Sequence, residues 1–120
     1  MPSMQIELTD RAYLILPAEI AEKYFPSDNL VALERGGNLW LLPVNNKASG
    51  GLLLKRRNSK GDRAVLLVEI LADEKLKEKN QAGIYAAHWD SGAAALLVDL
   101  NAGPLPAQLE DKTAAVDERL

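Results

Sequence analysis

Apolar runs of strand length alternate with turn residues along most of this chain, and the spacing predicts hairpins rather than long helices. Residues 4–8 and 12–16 read as two short strands broken at Thr9-Asp10. Pro17 then suits the first helical position, where a missing N–H costs nothing, and Ile20 with Tyr24 forms an i, i+4 apolar stripe. These features predict a helix of about two turns over residues 17–25. Pro26-Ser27-Asp28-Asn29 ends it, because proline disfavours helical geometry in the preceding residue and the polar residues favour a turn.

Three hairpins follow. Residues 30–35 and 39–44 flank Gly36-Gly37-Asn38, which tolerate the positive φ of a tight turn. Residues 52–57 and 63–70 flank Asn58-Ser59-Lys60-Gly61-Asp62, and residues 84–89 and 93–100 flank Asp90-Ser91-Gly92. In the middle hairpin both strand faces are apolar, Ala64, Leu66 and Val68 on one and Val65 and Leu67 on the other, which predicts burial on both sides. Residues 72–80, charged with alternating sign, suit an exposed helical turn capped by Asp73. The expected fold is α+β, mainly β: about eight strands as antiparallel hairpins in a small barrel or sandwich, with one or two short helices. Leu33, Trp40, Leu42, Leu53, Leu66, Val68, Ile84 and Leu97 are the expected core. Residues 1–100 form one β-rich domain in this reading, and 101–120, opening with Asn101-Ala102-Gly103-Pro104, form an acidic tail.

Charge changes the picture. The chain carries −3 overall, yet between Lys47 and Lys79 nine basic residues face five acidic ones, so that segment is +4 and the rest −7. Lys55, Arg56, Arg57, Lys60 and Arg63 gather around the tip of the middle hairpin. A hairpin with a buried base and a cationic tip presents charge rigidly, which suits docking to carboxylates or phosphates. These five residues are the expected partner- or anion-binding site.

Catalytic chemistry has little material. Cysteine is absent, which excludes thiolate nucleophiles, disulfides and cysteine-ligated metals, and His88 is the sole histidine. No serine lies in a nucleophile elbow, and Ser49-Gly50-Gly51 lacks phosphate-loop spacing. We therefore expect no cofactor, no metal and no enzymatic activity. Trp40 suits a core or an interface, and Trp89, near a turn, suits surface recognition. With no secretion signal and no apolar run near the about 18 residues of a membrane span, the expected location is cytoplasmic.

Residues 5 to 44, including the run LTDRAYLILPAEIAEKYFPSDNLVALERGGNLWLLPV, resemble the AbrB/MazE swapped-hairpin module. There a strand meets a proline-started helix, as at Leu14-Ile15-Leu16-Pro17-Ala18-Glu19-Ile20, followed by a turn and a hairpin. The resemblance implies an intertwined homodimer and DNA binding, although only Arg11 and Lys23 are basic before residue 30. Residues 50 to 67, with Lys55, Arg57, Asn58, Gly61, Asp62 and Arg63, are similar to segments of small hydrogenase and other metalloenzyme accessory proteins. That similarity implies an assembly or maturation factor. The expected function is a non-enzymatic binding or assembly domain of the accessory type, a homodimer that docks an acidic protein partner through the basic tip. The alternative is an AbrB-like dimeric DNA-binding regulator or antitoxin.

Overall fold

The structure, a computed structural model, describes residues 4–44 and 51–105. Nine strands and two short helices follow one another: β1 (Met4–Leu8), β2 (Tyr13–Leu16), α1 (Ala18–Tyr24), β3 (Asn29–Arg35), β4 (Asn38–Pro43), β5 (Leu52–Leu53), β6 (Lys55–Arg56), β7 (Arg63–Leu66), α2 (Val68–Leu71), β8 (Gly83–Asp90) and β9 (Ala95–Val98). All neighbours in the sheet are antiparallel, in the order β5-β3-β4-β9-β8-β1-β2-β7-β6. Its two ends, β5 and β6, are separated in sequence by Leu54 alone, so the sheet curls into a nearly closed barrel. The expected α+β, mainly β class is what the chain adopts.

Local chemistry explains the turns. Thr9 Oγ1 accepts from the Arg11 and Tyr13 amides, both at 3.2 Å, and bends the chain between β1 and β2. Gly36 and Gly37 both have positive φ, +61° and +80°, as a two-residue hairpin turn requires. Asp90 Oδ1 accepts from the Ala93 amide at 3.2 Å at the β8–β9 turn. Residues 101–105 are held as well: Asn101 donates to Gly36 O at 2.9 Å, and the Leu105 amide bonds Ile84 O at 2.6 Å. The rest of the expected tail lies outside the described residues.

The two halves of the barrel repeat one another. β2, α1, β3 and β4 have the order of β7, α2, β8 and β9. Leu14 pairs with Val65, and both are buried. Likewise Trp40 pairs with Leu97, both half-buried, with buried Leu39 and Leu41 flanking the one and buried Leu96 and Val98 the other. A residue paired with its own counterpart marks where a pseudo-two-fold axis passes.

Three expectations are corrected. The arm over 52–57 is two strands, because the chain changes partner at Leu54: Leu52 and Leu53 pair with β3, whereas Lys55 and Arg56 pair with β7. The opposing arm stops at Leu66, and Val68–Leu71 is helical. The core also has the opposite phase. Leu30, Leu39, Leu41, Val65, Leu67 and Leu96 are buried, while Leu53, Leu66 and Val68 are 55%, 43% and 55% exposed and Leu33 is 36% exposed. Trp40, Leu42, Ile84 and Leu97 are half-buried on the outer side. A strand with apolar residues on both faces does not specify which face turns inward, since a shift of one residue exchanges them. Residues 72–80 form turns, as expected, but Leu76 among them is buried and pins the segment to the core.

Because the inward face is the one with Leu41, Leu41→Ala should cost about 2–5 kcal/mol by urea denaturation. Leu66→Ala, on the outer face, should cost about 1 kcal/mol or less. The reverse order would mean that the barrel is folded inside out.

Candidate functional site

The hairpin between β6 and β7 is tightly tied. The Arg57 amide bonds Asp62 O at 2.7 Å, and Asn58 Oδ1 accepts from the Lys60 and Asp62 amides at 3.1 and 3.2 Å. Asn58 Nδ2 donates to Asp62 Oδ2 at 3.0 Å, leaving Asp62 Oδ1 to accept from the Ala18 amide at 2.9 Å. Helix α1 has no capping side chain of its own, so the hairpin supplies the acceptor its first amide needs. Gly61 makes this docking possible: at φ +98°, a Cβ there would stand 3.3 Å from the Ala18 Cβ. The Asn58 side chain, then the Ala18 amide, lower the pKa of Asp62 below the ordinary value, and the Lys60 and Arg57 charges add to this.

The five tip cations divide. Lys55, Arg56 and Lys60 are exposed and form no salt bridge or side-chain hydrogen bond among the described residues. Arg57, also exposed, stands 4.0 Å from Glu7 Oε1, a solvated pair of small energetic weight. Arg63 is different. Its Nε donates to Asp28 Oδ1 at 2.9 Å, its Nη1 donates to Gly61 O, and its side chain is only 12% exposed. The expected five-residue site is therefore four outward cations and one arginine used internally.

A second feature was not expected. An apolar groove of about 740 Å³ lies where the barrel is not fully closed, with Val31, Leu53, Leu66, Val68 and Ile70 among its lining residues. Its signal in the sequence was the apolar character of both faces of 63–70, which reads equally as two-sided burial. Trp89 is no free recognition surface: its ring stacks on Tyr24 with centroids 4.4 Å apart and planes at 14°. Arg35 lies over the Trp40 ring at 5.1 Å. His88 is exposed on β8, opposite Leu97. Among the described residues no three His, Asp or Glu side chains gather as a metal site, and no helix is long and apolar enough to cross a membrane. No protein-family model, curated protein or solved structure matches the chain.

Because the folded pKa of Asp62 lies below its unfolded one, its stabilisation is present above the ordinary value of about 3.9 and is lost as pH falls through the lowered folded value. Asp62→Asn should therefore flatten the acid limb of the stability curve, read by thermal melts between pH 2 and 6 at about one-unit steps. An unchanged limb would show that the carboxylate does not hold the hairpin to α1. In the same melts at neutral pH, Arg63→Gln should cost about 1–2 kcal/mol, because Asp28 loses a charged hydrogen bond that water partly screens. Arg56→Gln should cost within about 0.5 kcal/mol.

Proposed function

We propose that this chain is a non-enzymatic binding or assembly domain of the accessory type, docking an acidic protein partner through Lys55, Arg56, Arg57 and Lys60. One observation carries the reading. Three exposed cations that form no salt bridge or side-chain hydrogen bond among the described residues, Lys55 and Arg56 on β6 and Lys60 on the loop, stand on a hairpin whose loop is held by Asn58, Asp62 and the start of α1. Little ordering entropy is lost when such a loop binds, so long side chains on a fixed frame suit recognition of carboxylates. Arg63 serves this site indirectly, by holding the hairpin against Asp28.

A second reading, an AbrB-like DNA-binding regulator or antitoxin, draws support from the strand–strand–helix–hairpin order of β1, β2, α1, β3 and β4. The second half of the chain repeats much of this order, so one chain supplies both halves of a barrel that the resembling modules build from two. The edges that would otherwise call for a homodimer are mostly paired within the chain, and the case for a second copy narrows to the groove. The same cations would meet DNA phosphates in this reading.

Replacing Lys55, Arg56 and Lys60 together by glutamine should leave the melting temperature unchanged, since each side chain is exposed. In quantitative co-purification from the native cell, proteins retained by the wild type should fall at least tenfold with the triple variant. Equal retention would reduce the tip to ordinary solvated charge. Titration with duplex DNA separates the second reading: each lost phosphate contact should lower the salt slope of log K by about 0.9, and the absence of DNA binding by the wild type would remove it.

A further inference from the structure

We propose that two copies of this chain pair about a two-fold axis through the outer face around Leu66, with Lys55 of each copy against Glu69 of the other. This pairing is independent of the function given to the tip. Side-chain alternation builds the face. Leu66 of β7 pairs with Tyr13 of β2, and the two are 43% and 41% exposed. Leu53 and Lys55 lie on either side of buried Leu54, so both turn outward. Leu53 and Val68, each 55% exposed, line one groove with Leu66 and Val31. Of the six large apolar side chains exposed among the described residues, five thus gather on this face. A contiguous apolar patch rimmed by charge marks an interaction surface.

Charge along this face selects the partner. Lys55 stands opposite Ala64, two residues before Leu66, whereas Glu69 follows Val68 on α2. Both are exposed and form no salt bridge or side-chain hydrogen bond among the described residues. The apolar centre therefore has a cation at one end and a carboxylate at the other. A two-fold axis crossing the face between them exchanges the ends, so that each Lys55 meets a Glu69 and no like charges meet. An acidic segment laid over the same face would set a carboxylate against Glu69, and a basic one a cation against Lys55. A second copy matches both ends. Apolar side chains at the centre with charges at the rim are the usual anatomy of such an interface. Arg56, which alternates with Lys55 on β6, and Lys60, in the loop beyond, lie outside it.

Sedimentation equilibrium of the full chain, from micromolar to millimolar concentration, tests the pairing. The expected mass rises from one chain to two and no further, since a face paired with itself is closed. Leu66→Gln with Val68→Gln should weaken the association at least tenfold, with the fold checked by circular dichroism. For the charges, Lys55→Glu and Glu69→Lys are made in separate chains. Each variant alone brings like charges together at both ends and should associate at least tenfold more weakly than the wild type. Mixed in equal amounts, the two should pair with each other as tightly as wild-type chains do, because both ends are matched again. Arg56→Gln with Lys60→Gln should associate as the wild type does. A chain monomeric at every concentration would overturn the proposal and leave the face to the chain itself or to another protein. So would a dimer indifferent to the Leu66 and Val68 changes, or charge variants that do not recover on mixing. A dimer lost with Arg56 and Lys60 would overturn it too, by placing the tip in the interface.

Discussion

Asp28 joins the two ends of the sheet, and barrel, helix and basic tip all depend on that junction. Its carbonyl accepts from the Leu54 amide at 2.9 Å, where the chain crosses from β5 to β6, and its carboxylate accepts from Arg63 at 2.9 Å on the next strand, β7. Its amide bonds Phe25 O at 3.0 Å and so finishes the turn after α1. Asp28 holds φ at +56°, a region that aspartate tolerates better than most side chains. One residue in an unusual conformation thus bonds three neighbours, Phe25, Leu54 and Arg63. Leu54, 3% exposed, fills the core beneath the crossing.

The crossing also makes the two halves unequal. Where the first half devotes five residues of β1 to the edge of β8, the second devotes two residues of β5 to β3 and then diverts to β7. Gly51 precedes this strand. At φ +101° it passes so near β3 that a Cβ would lie 2.8 Å from Asn29 Oδ1 and 2.9 Å from Leu30 O. Only glycine fits so close an approach at that φ. Beyond the crossing, the diversion places Lys55 and Arg56 beside β7.

Turn chemistry was the most legible part of this sequence. Gly36-Gly37, Thr9-Asp10 and Asp90-Ser91-Gly92 each interrupt apolar runs with residues whose local bonding forms the observed bends, and the stop at Pro26 ends α1 where expected. The facing of the strands was not legible, since Leu-Trp-Leu-Leu and Ala-Val-Leu-Leu-Val offer comparable apolar surface to either side. The repeat was hidden because its halves differ in turn length and their equivalent positions carry different residues, as Leu14 and Val65 or Trp40 and Leu97 do. At the candidate site, the clustering of cations was visible in one dimension, but the diversion of Arg63 was not. It depends on Asp28, a residue 35 positions earlier that only the closed barrel brings within reach.

That diversion resolves an electrostatic conflict in the tip. Arg56 and Arg63 are direct partners across β6 and β7, and like charges in that relation destabilise a strand pair. Arg63 turns to Asp28 and to Gly61 O, so its charge is met by a carboxylate and a carbonyl, and Arg56 is left to face water. On the inner side of the loop, Asp62 binds the α1 amide and Glu7 approaches Arg57, which place acidic groups toward the barrel. The positive groups left outward are Lys55, Arg56 and Lys60. A protein of net charge −3 can display a cationic tip because the acidic residues that would neutralise it are already engaged in holding the hairpin in place.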